Sequence, residues 1–589
     1  MYRTHKNNQL NKNNIGEEVT LSGWVHRRRD HGGVIFIDIR DRYGLTQVVT
    51  DPEEFAEAHD IADQVRPEYV IQITGQVRKR PEGQENNNIN TGEIEVLVTA
   101  AKILSKAKTP PFEIDVEKDV NEEVRLRYRY LDLRRERMKE NMVFRHNVVH
   151  AMRDFLNREE FLDIETPILI KGTPEGSREY IVPSRIYPGN FYVLPQSPQQ
   201  LKQLLMIAGM DKYFQVARCF RDEDQRGDRQ PEFTQLDLEM SFVDQDDILD
   251  VIERMMIEIT DKLVPNKQLL NRMFPRISWR EAMENYGTDK PDIRYEMKIV
   301  DVSDIVKECE FGVFSAAIKS GGVVKALKVD GGLDLTRKEI EDLTDLAKIH
   351  GAKGLAYFQV DQDGPKSNIL KYFTDEQVKL ILEKTDAKSG DIIFFGADTF
   401  ETACNALGQV RIACAKRFNL IDENKLAYLW VVDFPMFEKD PLTGELAASH
   451  HPFTHPKNED LEKLDQEPEN ALAYAYDIVL NGYEIGGGSV RIHEHELQKK
   501  IFELLKISPA DAEQRFGHML DAFSYGAPPH AGLALGLDRI IMIFRDEPNI
   551  REVIAFPKDQ KAKDLMLGAP SVMPDENLDE LKISINLED

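Results

Sequence analysis

The chain has 589 residues, 41% hydrophobic and 30% charged, with a formal net charge of −27. That length predicts several domains, each with its own core, and the composition is that of a globular protein rather than a disordered or fibrous one. No apolar run reaches the roughly 18 residues of a membrane span and the N-terminus lacks a charged-then-apolar leader, so neither insertion nor secretion is expected.

Cys219, Cys309, Cys404 and Cys414 lie far apart without a CxxC pair and read as reduced thiols in a cytoplasm. The acidic balance argues against a polyanionic partner overall, but binding is decided by local patches. Basic residues gather at Arg27, Arg28 and Arg29, at Arg78, Lys79 and Arg80, and along Arg125, Arg127, Arg129, Arg134, Arg135 and Arg137, which leaves room for RNA there.

Five strand-like runs, 19–29, 34–42, 45–50, 69–80 and 93–104, with a helical segment at 52–65, predict a small Greek-key barrel of the OB type. Such barrels stack single-stranded bases on aromatics beside a basic groove. Phe36 and Gln47 fall on adjacent strands near Arg27 and Arg29, with His31 in the intervening loop; Phe36 could equally be core.

Residues 108–135 carry Pro110, Pro111 and mixed charge with little apolar periodicity, and predict a surface hinge. Met138, Met142, Val148, Val149, Met152, Phe155 and Leu156 then form one stripe of a helix over 136–157, which either closes a core or makes a subunit seam. An extended run ends at Pro167, and the polar loop 173–178, with Glu175, suits a lid. Ser197 reads as the N-cap of a helix over 199–209, with Lys202 one turn in, exposed or pointed into a cleft.

The stretch 219–239, CFRDEDQRGDRQPEFTQLDLE, predicts two antiparallel strands joined by a long polar loop, too charged to be core. Arg221 at a strand end could grip a carboxylate or phosphate through parallel N–H bonds, and Phe233 offers a face to a flat base; the alternative is a solvated charged hairpin.

Residues 292–424 read as an inserted α/β domain, with short strands near 355–360 and 391–395 and no catalytic constellation of its own. Beyond it, Gly486, Gly487 and Gly488 interrupt a strand between Glu484 and Arg491, implying a close approach to the backbone. GLALGLDR at 532–539 turns a strand into a helix with Arg539 at the junction, a setting for an anion. No GK[ST] occurs, so a Walker phosphate loop is absent.

A strand ending in Pro167, FRDE at 220–223 and GLALGLDR at 532–539, in that order, resemble the three motifs of class II aminoacyl-tRNA synthetases. An N-terminal OB barrel marks the subgroup for aspartate, asparagine and lysine. QSPQ at 196–199, RDEDQRGDRQPEFTQ at 221–235, GAKGLAY at 351–357, HHPFT at 450–454 and GYEIGGGSVRIH at 482–493 are similar to the bacterial aspartyl-tRNA synthetase family, and the resemblance spans essentially the whole chain.

The resemblance implies an α+β multidomain fold. An OB-fold anticodon domain would occupy 1–107, a hinge 108–135, and an antiparallel six-stranded catalytic sheet with flanking helices the segments 136–290 and 425–589, split by a GAD-like insertion at 291–424. It implies activation of L-aspartate by ATP with Mg²⁺, then transfer to the 3′-terminal ribose of tRNA(Asp), with tRNA(Asn) left open, in a cytoplasmic homodimer joined through the first motif. By similarity Arg221 bridges the substrate carboxylate and the α-phosphate, Glu223 contacts adenine, Phe233 stacks beneath it, and Arg539 lies over it and reaches the γ-phosphate. Asp222, Gln230, Gly536, Leu537 and Asp538 complete the nucleotide site, and Asp477 and Glu484 hold the metal. Lys202 and Arg491, with His450 and His451 beside them, select the side-chain carboxylate, while Glu175, Ser197, Gln199 and Asp237 meet the ammonium group. Arg27, Arg29, His31, Phe36 and Gln47 read the anticodon. Ser177, Glu179, Gln200 and Leu201 depart from the commoner bacterial form. The alternatives are an asparaginyl or lysyl relative, a synthetase-like RNA-binding protein without activation, and, for His450, His451 and His455, a metal site.

Overall fold

The computed structural model describes residues 1–116, 118–172, 177–440 and 443–587. They form two compact units, 1–144 with 551–571, and 145–550 with 572–589.

In the first unit, β1 (Glu18–His31), β2 (Val34–Arg40), β3 (Leu45–Thr50), α1 (Ala56–Gln64), β4 (Val70–Lys79) and β5 (Ile94–Ser105) make the expected barrel, closed in the order β1-β2-β3-β5-β4. Period-two alternation sends Val19, Leu21 and Val25 of β1 and Ile35, Ile37 and Ile39 of β2 into one core. The same alternation turns Phe36 outward and leaves it half-buried, so it is not core.

The hinge region differs from expectation. It contains α2 (Glu122–Arg127) and α3 (Arg129–Asp132), and Arg129 and Asp132 are buried rather than at the surface. Arg129 donates to Asp132 at 2.6 Å and to the carbonyls of Arg551, Ile554 and Ala555, while Arg125 grips Glu552 through N–H bonds of 2.9 and 2.6 Å. These arginines serve a structural pairing 427 positions along the chain, which local periodicity cannot reveal.

The helix α4 (Glu136–Arg158) follows, and its stripe buries Met138, Val148, Met152, Phe155 and Leu156. Next come β6 (Leu162–Asp163), β7 (Ile181–Pro183), β8 (Phe191–Val193), α5 (Gln199–Ile207), β9 (Lys212–Phe220), β10 (Glu232–Ser241), α6 (Gln245–Leu263), β11 (Gln268–Leu269), β12 (Arg276–Ser278) and α7 (Trp279–Tyr286). The insertion holds β13 (Ile299–Asp301), α8 (Ser303–Val306), α9 (Gly312–Lys319), β14 (Val323–Val329), α10 (Arg337–Ile349), β15 (Ala356–Asp361), β16 (Gly364–Lys366), α11 (Asp375–Thr385), β17 (Ile392–Asp398) and α12 (Phe400–Arg417). Then follow β18 (Lys425–Leu426), β19 (Tyr428–Val432), β20 (Phe437–Lys439), β21 (Leu446–Ala448), α13 (Lys463–Gln466), β22 (Ala475–Leu480), β23 (Tyr483–Val490), α14 (His495–Leu504), α15 (Pro509–Phe523), β24 (His530–Gly536) and α16 (Leu537–Phe544).

The principal sheet runs β12-β19-β22-β23-β24-β10-β9-β6. Its six middle strands are antiparallel, as expected; β12 and β6 add short parallel edges, making eight where six were anticipated. Two- and three-residue edge strands are too brief to show a sequence period.

The insertion's sheet, β13-β14-β17-β15-β16, has a core on each face, which is why its central strand reads as the unbroken apolar run Ile392, Ile393, Phe394 and Phe395. Its two ends meet: Arg294 binds Asp292 at 2.7 Å and Glu423 at 3.1 Å, and β11 pairs with β18 just outside. α7, N-capped by Ser278, ends at Gly287 with φ +69°. There the backbone of α12 passes so close that a Cβ on Gly408 would stand 2.3 Å from the Gly287 carbonyl oxygen. Gly408→Val is therefore expected to cost about 3 kcal/mol by overpacking, read as a lower thermal midpoint for the second unit, whereas an exposed helical position such as Lys416→Ala should leave it unchanged.

Candidate active site

The hairpin β9–β10 forms as anticipated, with Cys219 opposite Phe233 and Gln215 opposite Asp237. Its charged second strand is nevertheless interior. Leu236, Asp237, Leu238, Glu239 and Met240 are all buried, which corrects the reading of this run as too charged for core. The charge is tolerated because it is paired. Lys202 Nζ lies 2.7 Å from Asp237 Oδ1 and 3.2 Å from Glu239 Oε2, and Arg491 Nε and Nη2 donate to the two Glu239 oxygens at 2.9 and 3.1 Å. Lys202 is thus neither exposed nor free; it reaches the cleft from below. Asp237 Oδ2 alone among these oxygens is buried without a partner.

Burial raises the Asp237 carboxyl, against the attraction of Lys202. Burial also raises Glu239, but Arg491 and Lys202 outweigh it and hold that carboxyl down at about 2. Arg491 Nη1 donates to Ser489 Oγ at 2.6 Å and to His451 Nε2 at 2.7 Å, so His451 accepts as a neutral ring. Burial, then the nearby Arg491, pulls His451 well below its usual value. Burial likewise takes His450 and His530 to about 4.

Lys202, Asp237, His450, His451 and Arg491 line one cleft of about 1200 Å³ together with Ser197, Gln199, Arg221, Glu223, Gln230, Phe233, Asp477, Glu484, Gly536, Asp538 and Arg539, with Glu239, Ser489 and His530 behind them. Arg221 places its guanidinium carbon 5.2 Å from the Phe233 ring centre and keeps Nε buried and unpartnered. Glu223 is bound by Arg229 at 2.9 Å, and Arg539 is tied to Asp228 at 3.0 Å and to the Glu484 carbonyl. Asp477 on β22 faces Gly487 on β23. A Cβ at Gly487 would fall 2.6 Å from Asp477 Oδ1, so the glycine run leaves room for that carboxylate. Burial, then the neighbouring Glu484 and Asp289 carboxylates, push Asp477 well up, against the attraction of Lys290.

Four expectations change. Ser197 is not the N-cap: that position is Pro198, and the Ser197 hydroxyl accepts from the Gln199 N–H at 3.4 Å. Asp222 and Leu537 do not line the cleft; Asp222 bridges to Arg178, and the Leu537 side chain is core. Asp538 does line it, but its oxygens are taken by Arg145 and by the Thr234 N–H at 2.9 Å, so it fixes strand to helix. Glu175 lies outside the described residues.

Sequence reasoning missed Glu239, though its alternation with Asp237 on β10 was a usable signal. It also missed Ser489, His530, Asp289 and Gln235, which only the fold brings near.

On the barrel, Arg29 pairs with Phe36 across β1–β2, and His31 packs edge-on to Phe36 at 5.9 Å. Arg29 donates to Asp38 at 2.9 Å and to Gln47 at 3.2 Å, and Gln47 donates in turn to buried Glu95 at 2.9 Å, which Arg78 holds at 2.9 Å. Arg27 is bound to Asp115. Gln47 is itself buried, so its amide orders this network as much as it faces outward.

Residues 121–560 match the family described as tRNA synthetases class II (D, K and N), and residues 19–104 the OB-fold nucleic acid binding domain. A Heliobacterium modesticaldum protein named aspartate–tRNA(Asp/Asn) ligase is 52% identical over 585 residues, covering 99% of this chain and 96% of its own. A Bacillus subtilis protein of the same name is 52% identical, covering 99% and 98%. Among solved structures, asparaginyl-tRNA synthetase of Pyrococcus horikoshii with asparaginyl-adenylate shares the fold at a TM-score of 0.59 and 20% identity, over 95% of this chain and 98% of that one. Aspartyl-tRNA synthetase of Entamoeba histolytica does so at 0.56 and 20%, over 94% and 91%.

The buried histidines and Glu239 set an acid limit. An unfolded chain protonates His450 and His530 near 6.5, the folded one only near 4, so stability should fall as pH drops from about 6.5 to about 4. Glu239, depressed from 4.5 to about 2, contributes stability above 4.5 that is lost as pH falls further. Thermal midpoints across pH 3–8 check both, and His530→Gln should flatten the upper part of the curve.

Proposed function

This chain belongs to the class II tRNA synthetases of the aspartate, lysine and asparagine group, and from that membership we propose how its cleft works as an aspartate–tRNA ligase. One observation carries the choice of amino acid. Asp237 Oδ2 is a buried, unsatisfied oxygen beside Lys202 and Arg491. An unpaired carboxylate oxygen suits the substrate ammonium group, and Lys202 and Arg491 on the same cleft wall attract an acidic side chain more strongly than a neutral amide.

Activation joins the α-carboxylate of aspartate to the α-phosphorus of ATP and releases pyrophosphate. The nucleophile is already ionised, so positioning and charge neutralisation carry the step. Arg221, with its free buried Nε, holds carboxylate and α-phosphate together, while Phe233 and Arg539 take the adenine between them. For that, Arg539 exchanges Asp228 for the nucleotide. Glu223 and Gln230 border the base, and Gly536 keeps the approach open. Asp477 and Glu484 fit a Mg²⁺ ion, since they are neighbouring carboxylates on the same cleft and offer oxygen donors only. Such an ion would supply charge neutralisation to the phosphates. In the second step the 3′-hydroxyl of tRNA attacks the aspartyl carbonyl and AMP departs.

Arg27, Arg29, His31, Phe36 and Gln47 form the anticodon-reading face, with Phe36 as the stacking ring. Since the relatives are named for both tRNAs, we extend the reading to tRNA(Asn). Exposed Leu162, Ile168, Leu169, Ile181 and Phe191 around the first motif suit a homodimer seam. No helix among the described residues is long and apolar enough to cross a membrane, and a role in protein synthesis places the enzyme in the cytoplasm.

ATP–pyrophosphate exchange should respond to aspartate and not to asparagine or lysine; response to asparagine alone would overturn the assignment. Arg491→Lys should lower kcat/KM for aspartate at least about 30-fold with the KM for ATP little changed, as expected for a buried bidentate pair. Phe36→Ala should impair charging of tRNA(Asp) and tRNA(Asn) in side-by-side assays while sparing exchange.

A further inference from the structure

The cleft is larger than amino acid and nucleotide need, since drug-sized ligands fill about 300–1,000 Å³ and this space is about 1200 Å³. Its lining reaches the insertion: Trp279 and Arg280 of α7 and Thr399, Phe400 and Glu401 at the start of α12 border the same space as Arg221 and Arg491. Two elements on either side of the insertion boundary build one feature there. The Arg280 guanidinium lies 3.8 Å from the centre of the Phe400 ring, and its Nε is held by Glu284 at 2.7 Å. Lys325, buried and paired with Asp301, approaches the same ring at 5.4 Å. The Arg280 side chain is nonetheless 59% exposed. A guanidinium seated 3.8 Å over a ring centre, tethered at its edge and more than half exposed can offer a flat cationic face to a ligand.

We infer that this platform, Arg280 seated on Phe400, stacks a base of the unpaired 3′ end of tRNA as that end enters the cleft for transfer. The inference rests on the ligase reading, because only the transfer step brings a single strand here. Unpaired bases are held on arginine planes and aromatic rings, and Arg280 supplies the plane with its orientation already fixed. Glu401, Glu438 and Glu469 line this end too and repel phosphate. Recognition therefore falls to a base face, not to the phosphodiester. The platform also gives the insertion a direct part in catalysis: Phe400 sets the plane of a residue belonging to the catalytic half.

The test uses the full-length enzyme and tRNA(Asp) carrying 2-aminopurine at one unpaired 3′ position. The wild type should quench its fluorescence on binding, and Arg280→Ala should abolish the quench. Aspartyl transfer from preformed adenylate in a single turnover should slow about tenfold, the worth of one stacked base, with aspartate-driven ATP–pyrophosphate exchange unchanged. Arg280→Lys, which keeps the charge and loses the plane, should behave like Arg280→Ala, and Phe400→Leu should fall between. Equal thermal midpoints for wild type and Arg280→Ala exclude a folding defect. Unchanged quench and transfer in Arg280→Ala, or full rescue by lysine, would overturn the platform and leave Arg280 and Phe400 as a contact between helices. Absence of aspartate-driven exchange in the wild type would instead sink the ligase reading, and this inference with it.

Discussion

Four charges closed off from water, Lys202, Asp237, Glu239 and Arg491, govern the architecture of the second unit. They come from three stretches: Lys202 from a helix, Asp237 and Glu239 from one strand, and Arg491 from a strand end 252 positions beyond Glu239. Burying an ion is unfavourable unless a partner is correctly placed, and removing one partner from such a set costs about 3–5 kcal/mol. The cluster is therefore intact only when α5, β10 and β23 are all in register. The geometry that recognises an acidic amino acid is thus also a condition for the sheet to close. Within that arrangement Asp237 Oδ2 has no hydrogen-bond partner among the described residues.

Around this floor the remaining groups divide by how tightly they are held. Asp538 is locked by Arg145 and a backbone N–H, and Arg491 by Glu239, Ser489 and His451. Arg539 and Glu223, by contrast, rest on exchangeable partners from the hairpin loop, Asp228 and Arg229. The amino acid meets preorganised donors, whereas the nucleotide displaces ion pairs that already satisfy the same side chains. Preorganisation favours discrimination between similar small substrates; displaceable pairs hold Arg539 and Glu223 in place before binding.

What could be read from sequence follows from the range of each interaction. The barrel strands, the β9–β10 hairpin and the stripe of α4 have local periods, and the structure places all of them where alternation and the 3.6-residue repeat put them. Arg221, Phe233, Glu484, Arg491 and Arg539 stand out because strand ends and glycine runs leave a local mark, whereas Gln199, Gln230, His450, His451 and Asp477 enter only through the family resemblance. Glu239 carried such a mark and was passed over as ordinary strand alternation. Arg129 and Asp132 carried none: a buried ion cluster closed by a segment hundreds of residues later reads locally as polar hinge. Ser197 shows the opposite error, a capping residue by type whose neighbour Pro198 takes the position, because proline's fixed φ suits a helix entrance. The short parallel strands β6 and β12 exist only through their neighbours.

The way the insertion is moored bears on how the chain assembles. Arg294 and Glu423 clasp its two ends across 129 positions, and β11 zips to β18 immediately outside. Left as unstructured chain, that stretch would be a long loop to close before β19 and β22 could join the strands made earlier. Folded first, on its own pair of cores, it presents the rest of the sheet with a gap of only a few residues. Four halvings of loop length lower the entropic cost of closure by about 2 kcal/mol. During synthesis from the N-terminus, the insertion emerges before β19 to β24 and, once folded, acts as a staple that draws the two halves of the sheet together.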